Sequence, residues 1–227
     1  MIRDRFDAII FDLDGTLIDT EPDLRHALNR TLLSLGRDQA SRDEVKKMIG
    51  DGIPKLVERA LLAKGGLPIR EFDDIVKCFS KNYFGIATKF SRMFPGVDKS
   101  LSSLKNLGLK LGICTNKPET PTYEILDAFN ISDYIDTVVA GDTIPGIKKP
   151  DSRHLAGVLE LLKVPKNKAV MVGDSRNDAN AARELEIPFI AVSFGYAGGP
   201  IKELKADIVI KHFDDLVQAL RILATDY

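Results

Sequence analysis

Two aspartates follow a short apolar run near the start of the chain. The run occupies residues 8–11, and Asp12-Leu13-Asp14-Gly15-Thr16 comes directly after it. A run of large apolar residues that ends in a glycine turn predicts a strand buried on both faces. Two carboxylates at the end of such a strand are costly to bury unless a cation, hydrogen bonds or chemistry compensates. Asp12 and Asp14 are therefore candidates for acid–base chemistry or metal binding.

Helix capping is the plainer interpretation of the same residues. Asp14 or Thr16 could accept hydrogen bonds from the free N–H groups at the start of a following helix. A cap needs one such side chain, whereas the chain supplies two carboxylates. The pair therefore favours chemistry over capping.

Three further polar sites fall at or just after predicted strand ends. They are Thr115-Asn116, Lys149-Pro150, and a segment that begins with Gly173-Asp174 and contains Asp178. Taken singly, they would be a helix cap, a solvated loop lysine and a helix start with favourable dipole charge. The carboxyl ends of parallel strands, however, lie at one edge of a sheet. These residues can therefore meet Asp12 and Asp14 in a single site.

Apolar runs typical of strands alternate with amphipathic helical patterns over most of the chain. This alternation implies right-handed crossovers and a parallel sheet covered on both faces. We therefore expect an α/β fold with a doubly wound, mostly parallel sheet and a Rossmann-like core. The predicted strands are residues 6–12, 109–115, 136–140, 169–173, 189–192 and 208–210.

One region, from about residue 19 to residue 87, breaks the alternation. It carries helical patterns without a convincing strand, including helices that start near Pro22 and Pro54. We expect residues 19–89 to form an inserted all-helical cap domain, called the helical insertion below. Residues 1–18 and 90–227 would then form the catalytic α/β core domain.

The amino-acid composition indicates which kinds of partner the protein binds and in which cellular compartment it works. The 227 residues include 32 Lys and Arg and 33 Asp and Glu, which gives a net charge of -1. The chain therefore lacks the basic excess expected of a protein that binds nucleic acid or an anionic membrane. Cys78 and Cys114 are far apart, which favours reduced thiols over a metal site. The first apolar run is too short for a signal peptide, so we expect a cytoplasmic protein.

The four polar motifs together resemble those of a known family. In order they are Asp12-Leu13-Asp14-Gly15-Thr16, Thr115-Asn116, Lys149-Pro150 and Gly173-Asp174-Ser175-Arg176-Asn177-Asp178. They look like the four ordered motifs of the haloacid dehalogenase superfamily, and a helical cap follows the first motif in both. Within that superfamily the chain most resembles the bacterial phosphoglycolate phosphatases, through Ile49-Gly50-Asp51-Gly52 and Phe194-Gly195-Tyr196 among other stretches.

The resemblance implies a Mg²⁺-dependent phosphatase that forms an aspartyl-phosphate. Asp12 would be the nucleophile. Asp14 would protonate the leaving group and then take a proton from the water that hydrolyses the intermediate. Mg²⁺ would bind Asp12, the backbone carbonyl of Asp14 and Asp174, and Asp178 would support those ligands. Phosphate would be bound by Thr115, Asn116 and Lys149.

The predicted cap helix that starts after Gly52 suggests where the rest of the substrate binds. A helix N-terminus offers free N–H groups to an anion, and glycine allows close approach of the backbone. Gly52, Ile53 and Lys55 are therefore candidates for binding the carboxylate of 2-phosphoglycolate, the small phosphorylated metabolite that the resemblance favours. A simple turn between helices is the alternative.

Other functions remain open on the same core. A pyrophosphatase, a sugar phosphatase or a phosphoglucomutase could share these motifs. A dehalogenase is disfavoured because that chemistry needs no acid at the position of Asp14. A receiver-like phosphoacceptor, which is not an enzyme, would lack the helical insertion.

Overall fold

The structure, a computed structural model, describes residues 2–68 and 71–226. Met1, Ile69, Arg70 and Tyr227, which fall within the predicted domain ranges, lie outside the described residues. The strands are β1 (Ala8–Phe11), β2 (Ile18–Asp19), β3 (Arg92–Met93), β4 (Lys110–Cys114), β5 (Thr137–Val139), β6 (Ala169–Gly173), β7 (Phe189–Val192) and β8 (Ile208–Ile210). The α-helices are α1 (Ile2–Arg5), α2 (Glu21–Ser34), α3 (Arg42–Lys46), α4 (Ile53–Ala63), α5 (Phe72–Tyr83), α6 (Val97–Asn106), α7 (Glu119–Ala128), α8 (Ser152–Leu162), α9 (Arg176–Leu185) and α10 (Leu216–Asp226).

Six strands form one parallel sheet in the order β5-β4-β1-β6-β7-β8. The chain builds outward from β1 first on one side and then on the other, so the strand order reverses beside β1. A crevice forms at such a reversal, outside the carboxyl ends of the strands. The doubly wound parallel sheet predicted from the sequence is thus confirmed.

The register of the central strands aligns the predicted motifs. Phe11, the last residue of β1, pairs with Ile113 of β4 and Val172 of β6. The residues that follow these positions therefore leave the sheet at the same level. This alignment sets the loops that carry Asp12, Thr115 and Asp174 side by side.

β1 is buried on both faces, as its apolar sequence predicts. Ile9 and Phe11 pack on one face of the sheet, and Ala8 and Ile10 pack on the other. All four side chains are fully buried. Helices α6 and α10 cover the first face, while α8 and α9 cover the second. This two-sided packing gives the site a rigid floor.

Between β1 and β4 the chain forms helices α2 to α5 of the helical insertion. Gly52, at φ +85°, leads into α4, and Pro54 occupies its first turn, where a missing N–H costs little. Helix α3 was not predicted; the structure shows that Ser41 and Glu44 cap it reciprocally.

A short two-stranded ribbon joins the helical insertion to the rest of the chain. Ile18 pairs with Met93 and Asp19 with Arg92, in antiparallel orientation. This ribbon was not predicted, because strands of two residues are too short to show an alternating pattern. It holds the segments on either side of the insertion next to each other.

No helix in residues 2–68 and 71–226 combines the length and apolar character needed to cross a membrane.

Candidate active site

Asp12 and Asp14 leave the end of β1 in different surroundings. Asp12 is 8% exposed, and its Oδ1 lies 2.8 Å from the Lys149 ammonium nitrogen. Asp14 Oδ1 accepts a hydrogen bond from Thr20 Oγ1 at 2.6 Å and lies 2.8 Å from the Lys117 ammonium nitrogen. The two carboxylates therefore have separate cations and separate hydrogen-bond partners.

Burial raises the pKa of Asp12 to about 7, although the nearby Lys149 opposes the shift. The carboxylates of Asp178 and Asp14 add to the increase because like charges repel. A cation that binds Asp12 would favour its ionised form and so reverse part of this effect. The environment of Asp12 is thus suited to a carboxylate that works beside a metal ion.

Gly15 allows the Asp12-Asp14 loop to approach Asp174 closely. Its φ is +84°, and a Cβ atom at this position would lie 2.4 Å from Asp174 Oδ2 and 2.8 Å from Tyr196 Cδ2. Any side chain would therefore push Asp174 away from the loop. Glycine is required here on both conformational and steric grounds.

Lys149 lies buried between two aspartates. Its ammonium nitrogen is 2.8 Å from Asp12 Oδ1 and 2.6 Å from Asp178 Oδ1. Burial alone would lower the pKa of Lys149, but Asp12 and Asp178 raise it above its usual range. Lys149 is therefore a fixed positive charge beside Asp12, as a phosphate-binding residue would need to be.

Asp12, Asp174 and Asp178 form a buried acidic cluster. Each offers a carboxylate oxygen, and these oxygens lie within 4.8 Å of one another. Burial raises the pKa of Asp174 well above its usual value, and the charges of Asp12 and Asp178 add to the shift. A divalent ion with oxygen ligands would compensate for this crowding, so the donor set fits Mg²⁺.

The members of the cluster differ in how much of their hydrogen-bonding capacity is used. Asp178 Oδ2 accepts hydrogen bonds from the backbone N–H groups of Asp174 and Ser175 and from Ser175 Oγ. Its other oxygen faces Lys149. Asp174 accepts hydrogen bonds from Thr16 Oγ1 and the Tyr196 backbone N–H. Asp174 also lines the cavity, so it is better placed than Asp178 to bind an ion.

Thr115 and Asn116 lie together in the loop after β4, and both line the cavity. The Asn116 side chain donates hydrogen bonds to the carbonyl oxygens of Gly50 at 2.9 Å and Lys149 at 2.8 Å. It therefore ties the helical insertion to the loop that carries Lys149, a role that the sequence did not indicate.

The predicted cap residues divide into two groups. Gly52 and Ile53 line the same cavity as the aspartates. Lys55 does not line it: its side chain is 57% exposed and forms an ion pair with Glu58. Because Lys55 lies outside the cavity, the structure does not bring it to the other candidate residues. The expectation that Lys55 contacts the substrate therefore finds no support in this arrangement.

The cavity is small and two-sided. Its volume is about 40 Å³, which by the same measure suits only a few water molecules. The core wall is polar, and the wall supplied by the helical insertion is mainly apolar. The lining residues are Asp12, Asp14, Leu24, Ile49, Gly50, Gly52, Ile53, Leu56, Thr115, Asn116, Lys117, Asp174, Ser175 and Tyr196.

Three residues of the site were missed as functional candidates in the sequence. Lys117 and Thr20 contact Asp14, and the Tyr196 hydroxyl donates a hydrogen bond to Asp19. Lys117 follows Thr115-Asn116 in the same loop, so its position at a strand end was an available signal. Thr20 lies in the segment that leads to the insertion, and no pattern marked it.

Comparisons with known proteins agree with this geometry. A family model described as haloacid dehalogenase-like hydrolase matches residues 9–192. The phosphoglycolate phosphatase of Caulobacter vibrioides is 40% identical over 96% of this chain and 92% of its own length. That of Agrobacterium fabrum is 37% identical over 93% of this chain and 91% of its own. The crystal structure of a predicted phosphoglycolate phosphatase from Haemophilus somnus superposes with a TM-score of 0.89 at 31% identity, covering 94% of this chain and 97% of that chain.

Proposed function

Because the chain belongs to the haloacid dehalogenase-like hydrolases, we propose that it is a Mg²⁺-dependent phosphatase acting on a small phosphate monoester, with 2-phosphoglycolate as the best candidate. The observation that carries this proposal is the placement of Asp12 and Asp14 on one cavity with separate cations. A nucleophile and an acid need different surroundings, and these two carboxylates have them.

The reaction proceeds in two steps. A carboxylate oxygen of Asp12 forms a bond to phosphorus while the bond from phosphorus to the ester oxygen breaks. Asp14 gives its proton to that oxygen, so the alcohol product leaves neutral at that position. Asp14 then takes a proton from the water that attacks phosphorus, and the bond between Asp12 and phosphorus breaks to release phosphate.

Asp12, the backbone carbonyl of Asp14 and Asp174 are the groups that would hold Mg²⁺. When bound, the ion reduces the repulsion between the anionic nucleophile and the anionic phosphate. Asp178 does not need to touch the ion. It orients Lys149 and the Asp174 loop through the hydrogen bonds described above.

Thr115, Asn116 and Lys149 are the proposed phosphate-binding residues. Lys149 already lies 2.8 Å from Asp12, so a phosphoryl group in line with Asp12 would meet its charge. Thr115 can donate a hydroxyl hydrogen bond, and the backbone N–H of Asn116 can add a second donor. These groups bind the charge of the phosphate rather than the rest of the ester.

The small cavity and the names of the relatives support 2-phosphoglycolate as substrate. The enclosed part of the cavity measures about 40 Å³, which favours a small ester over a bulky one. The relatives named phosphoglycolate phosphatase align with more than nine-tenths of this chain. We also propose that residues 19–89 act as the cap domain over a core of residues 1–18 and 90–227.

A screen of phosphate release tests this function. The purified protein is assayed with 2-phosphoglycolate, sugar phosphates, pyrophosphate and β-glucose 1-phosphate, and substrates are ranked by kcat/KM. We expect 2-phosphoglycolate to rank first and turnover to vanish in excess chelator. A sugar phosphate or pyrophosphate that ranks first by more than about tenfold would replace the substrate assignment. Absence of turnover with every ester would overturn the phosphatase itself.

A further inference from the structure

Among the residues that the structure describes, Lys117 is the one positively charged side chain that lines the cavity. Its side chain is 2% exposed, and its ammonium nitrogen lies 2.8 Å and 3.0 Å from the two carboxylate oxygens of Asp14. Lys149, the other buried lysine of the site, lies beside Asp12 and Asp178. The two lysines therefore neutralise different groups.

The side of Lys117 away from the core is covered by the helical insertion. Tyr83, in the last turn of α5, is fully buried, and its ring centre lies 5.0 Å from the Lys117 ammonium nitrogen. An aromatic ring at this distance attracts a cation without neutralising it. Asp14 is thus the partner that carries the opposite charge, and Lys117 forms part of the cavity wall beside it.

We propose that Lys117 binds the carboxylate of the substrate, an inference that rests on the proposed phosphatase function. Asp14 must lie within hydrogen-bond distance of the ester oxygen to protonate it. In 2-phosphoglycolate the carboxylate carbon is two bonds, or about 2.5 Å, from that oxygen. Lys117 lies directly beside Asp14 on the same wall, so the carboxylate and the ammonium group come into contact when the ester oxygen reaches Asp14.

The other candidates for this role are less well placed. The start of α4 at Gly52 and Ile53 also lines the cavity, but the side chains that the helical insertion contributes there are apolar and carry no positive charge. Lys55 is exposed and paired with Glu58 outside the cavity.

A pair of substrates tests the assignment. 2-Phosphoglycolate and 2-hydroxyethyl phosphate both have a primary alkyl ester oxygen, and they differ in whether a carboxylate or a hydroxymethyl group follows it. The measured quantity is kcat/KM for 2-phosphoglycolate divided by kcat/KM for 2-hydroxyethyl phosphate. We expect the Lys117→Met variant to lower this ratio by about ten- to a hundredfold, as loss of a charge-assisted contact would. Lys117→Arg should recover part of the ratio because it keeps the charge.

Two further lysine variants make the comparison specific. Lys166→Met removes an exposed lysine near the opposite end of β6 and should leave the ratio unchanged. Lys55→Met tests the rival assignment, and a fall in the ratio there with none at Lys117 would overturn ours. If Lys117→Met does not fold, as judged by circular dichroism, Lys117→Gln is compared in the same way.

The pattern of results separates this inference from the function on which it rests. A parent enzyme that prefers 2-phosphoglycolate, with an unchanged ratio in Lys117→Met, leaves the function standing and overturns the role of Lys117. Equal loss on both esters, including complete loss, assigns Lys117 to Asp14 alone and also overturns it. A parent enzyme without preference for the carboxylate ester overturns the proposed substrate and this inference together.

Discussion

At the end of β1, one residue separates two aspartates whose surroundings differ. Asp12 lies beside Lys149 within a buried acidic cluster, whereas Asp14 lies between Thr20 and Lys117. The first environment suits a group that attacks an anion near a metal ion. The second holds Asp14 in place between a hydroxyl and an ammonium group, as the proposed acid would require. This difference makes the two roles separable by mutation.

The variant Asp12→Asn should lose turnover while it keeps its fold. The amide has nearly the shape of the carboxylate but cannot form the phosphoenzyme, so kcat should fall by at least about a thousandfold. Phosphate release measures the loss, and thermal unfolding checks that the protein remains folded. Substantial residual turnover would contradict a covalent mechanism through Asp12.

The variant Asp14→Asn should discriminate between leaving groups. A poor alkoxide leaving group needs a proton, whereas p-nitrophenolate leaves without one, so the alkyl ester should lose about 10²- to 10⁴-fold in rate and the aryl ester much less. Single-turnover rates on 2-phosphoglycolate and p-nitrophenyl phosphate give the comparison. Equal losses would mean that Asp14 is not the acid.

At the scale of elements, α8 supports the loops that carry the site. His154 of α8 is fully buried, with Nδ1 3.4 Å from Cys114 Sγ and Nε2 3.0 Å from the Ala140 carbonyl oxygen. A proton on Nε2 lets the ring donate to Ala140 and accept from the Cys114 thiol. Burial lowers the pKa of His154, and it raises the pKa of Cys114 to about 12, so both groups are neutral at pH 7. His154 thus joins the end of β4 to the residue that follows β5, next to Thr115 in the sequence.

This histidine should make folding stability depend on pH. The unfolded chain binds a proton at His154 near pH 6.5, whereas the folded chain binds it only at lower pH, so stability falls as pH drops below about 6.5. His154→Gln can make both hydrogen bonds without titrating. Its free energy of unfolding should therefore fall less steeply between pH 7.5 and 5.5, by at most about 1.4 kcal/mol per pH unit. Urea unfolding of both proteins at the two pH values measures the difference, and equal slopes would contradict it.

Across the whole molecule, two amide side chains hold the helical insertion over the core. Asn116 and Asn177 both donate to the Gly50 carbonyl oxygen, and Asn177 also donates to Asp51 Oδ1 at 2.7 Å. Because these hydrogen bonds join the core to the insertion, they exist only when the insertion lies close to the core. They therefore favour the closed arrangement.

The variant Asn177→Ala should weaken closure. Loss of two hydrogen bonds between the core and the insertion should reduce kcat/KM by roughly five- to a hundredfold, mainly through KM if closure completes substrate binding. Asn180→Ala, on the same helix but exposed and bonded to Arg183, is the matched control and should change little. Steady-state kinetics test both, and a similar loss in Asn180→Ala would point to damage to α9 instead.

How much of the fold and of the site could be predicted from the sequence depends on how far apart in the chain the interacting residues lie. The strands of the sheet were predictable because burial on both faces leaves continuous apolar runs such as residues 169–173. The core aspartates were predictable because they follow such runs. The direction of Lys55 was not, since it depends on how α4 is rotated against the core. The contact between Lys117 and Asp14 joins loops about a hundred residues apart, and no local pattern reports it.

The ribbon formed by β2 and β3 has a consequence for how such proteins can diverge. Asp19 and Arg92 are paired neighbours. The segment between them therefore leaves the α/β core and returns to it at the same place. A different segment, of another length or sequence, could replace this one without distorting the core. Inserted segments are best tolerated when their two ends lie close together. New specificities could then arise by exchanging one contiguous piece of a gene, while the strand ends that perform the chemistry are inherited unchanged.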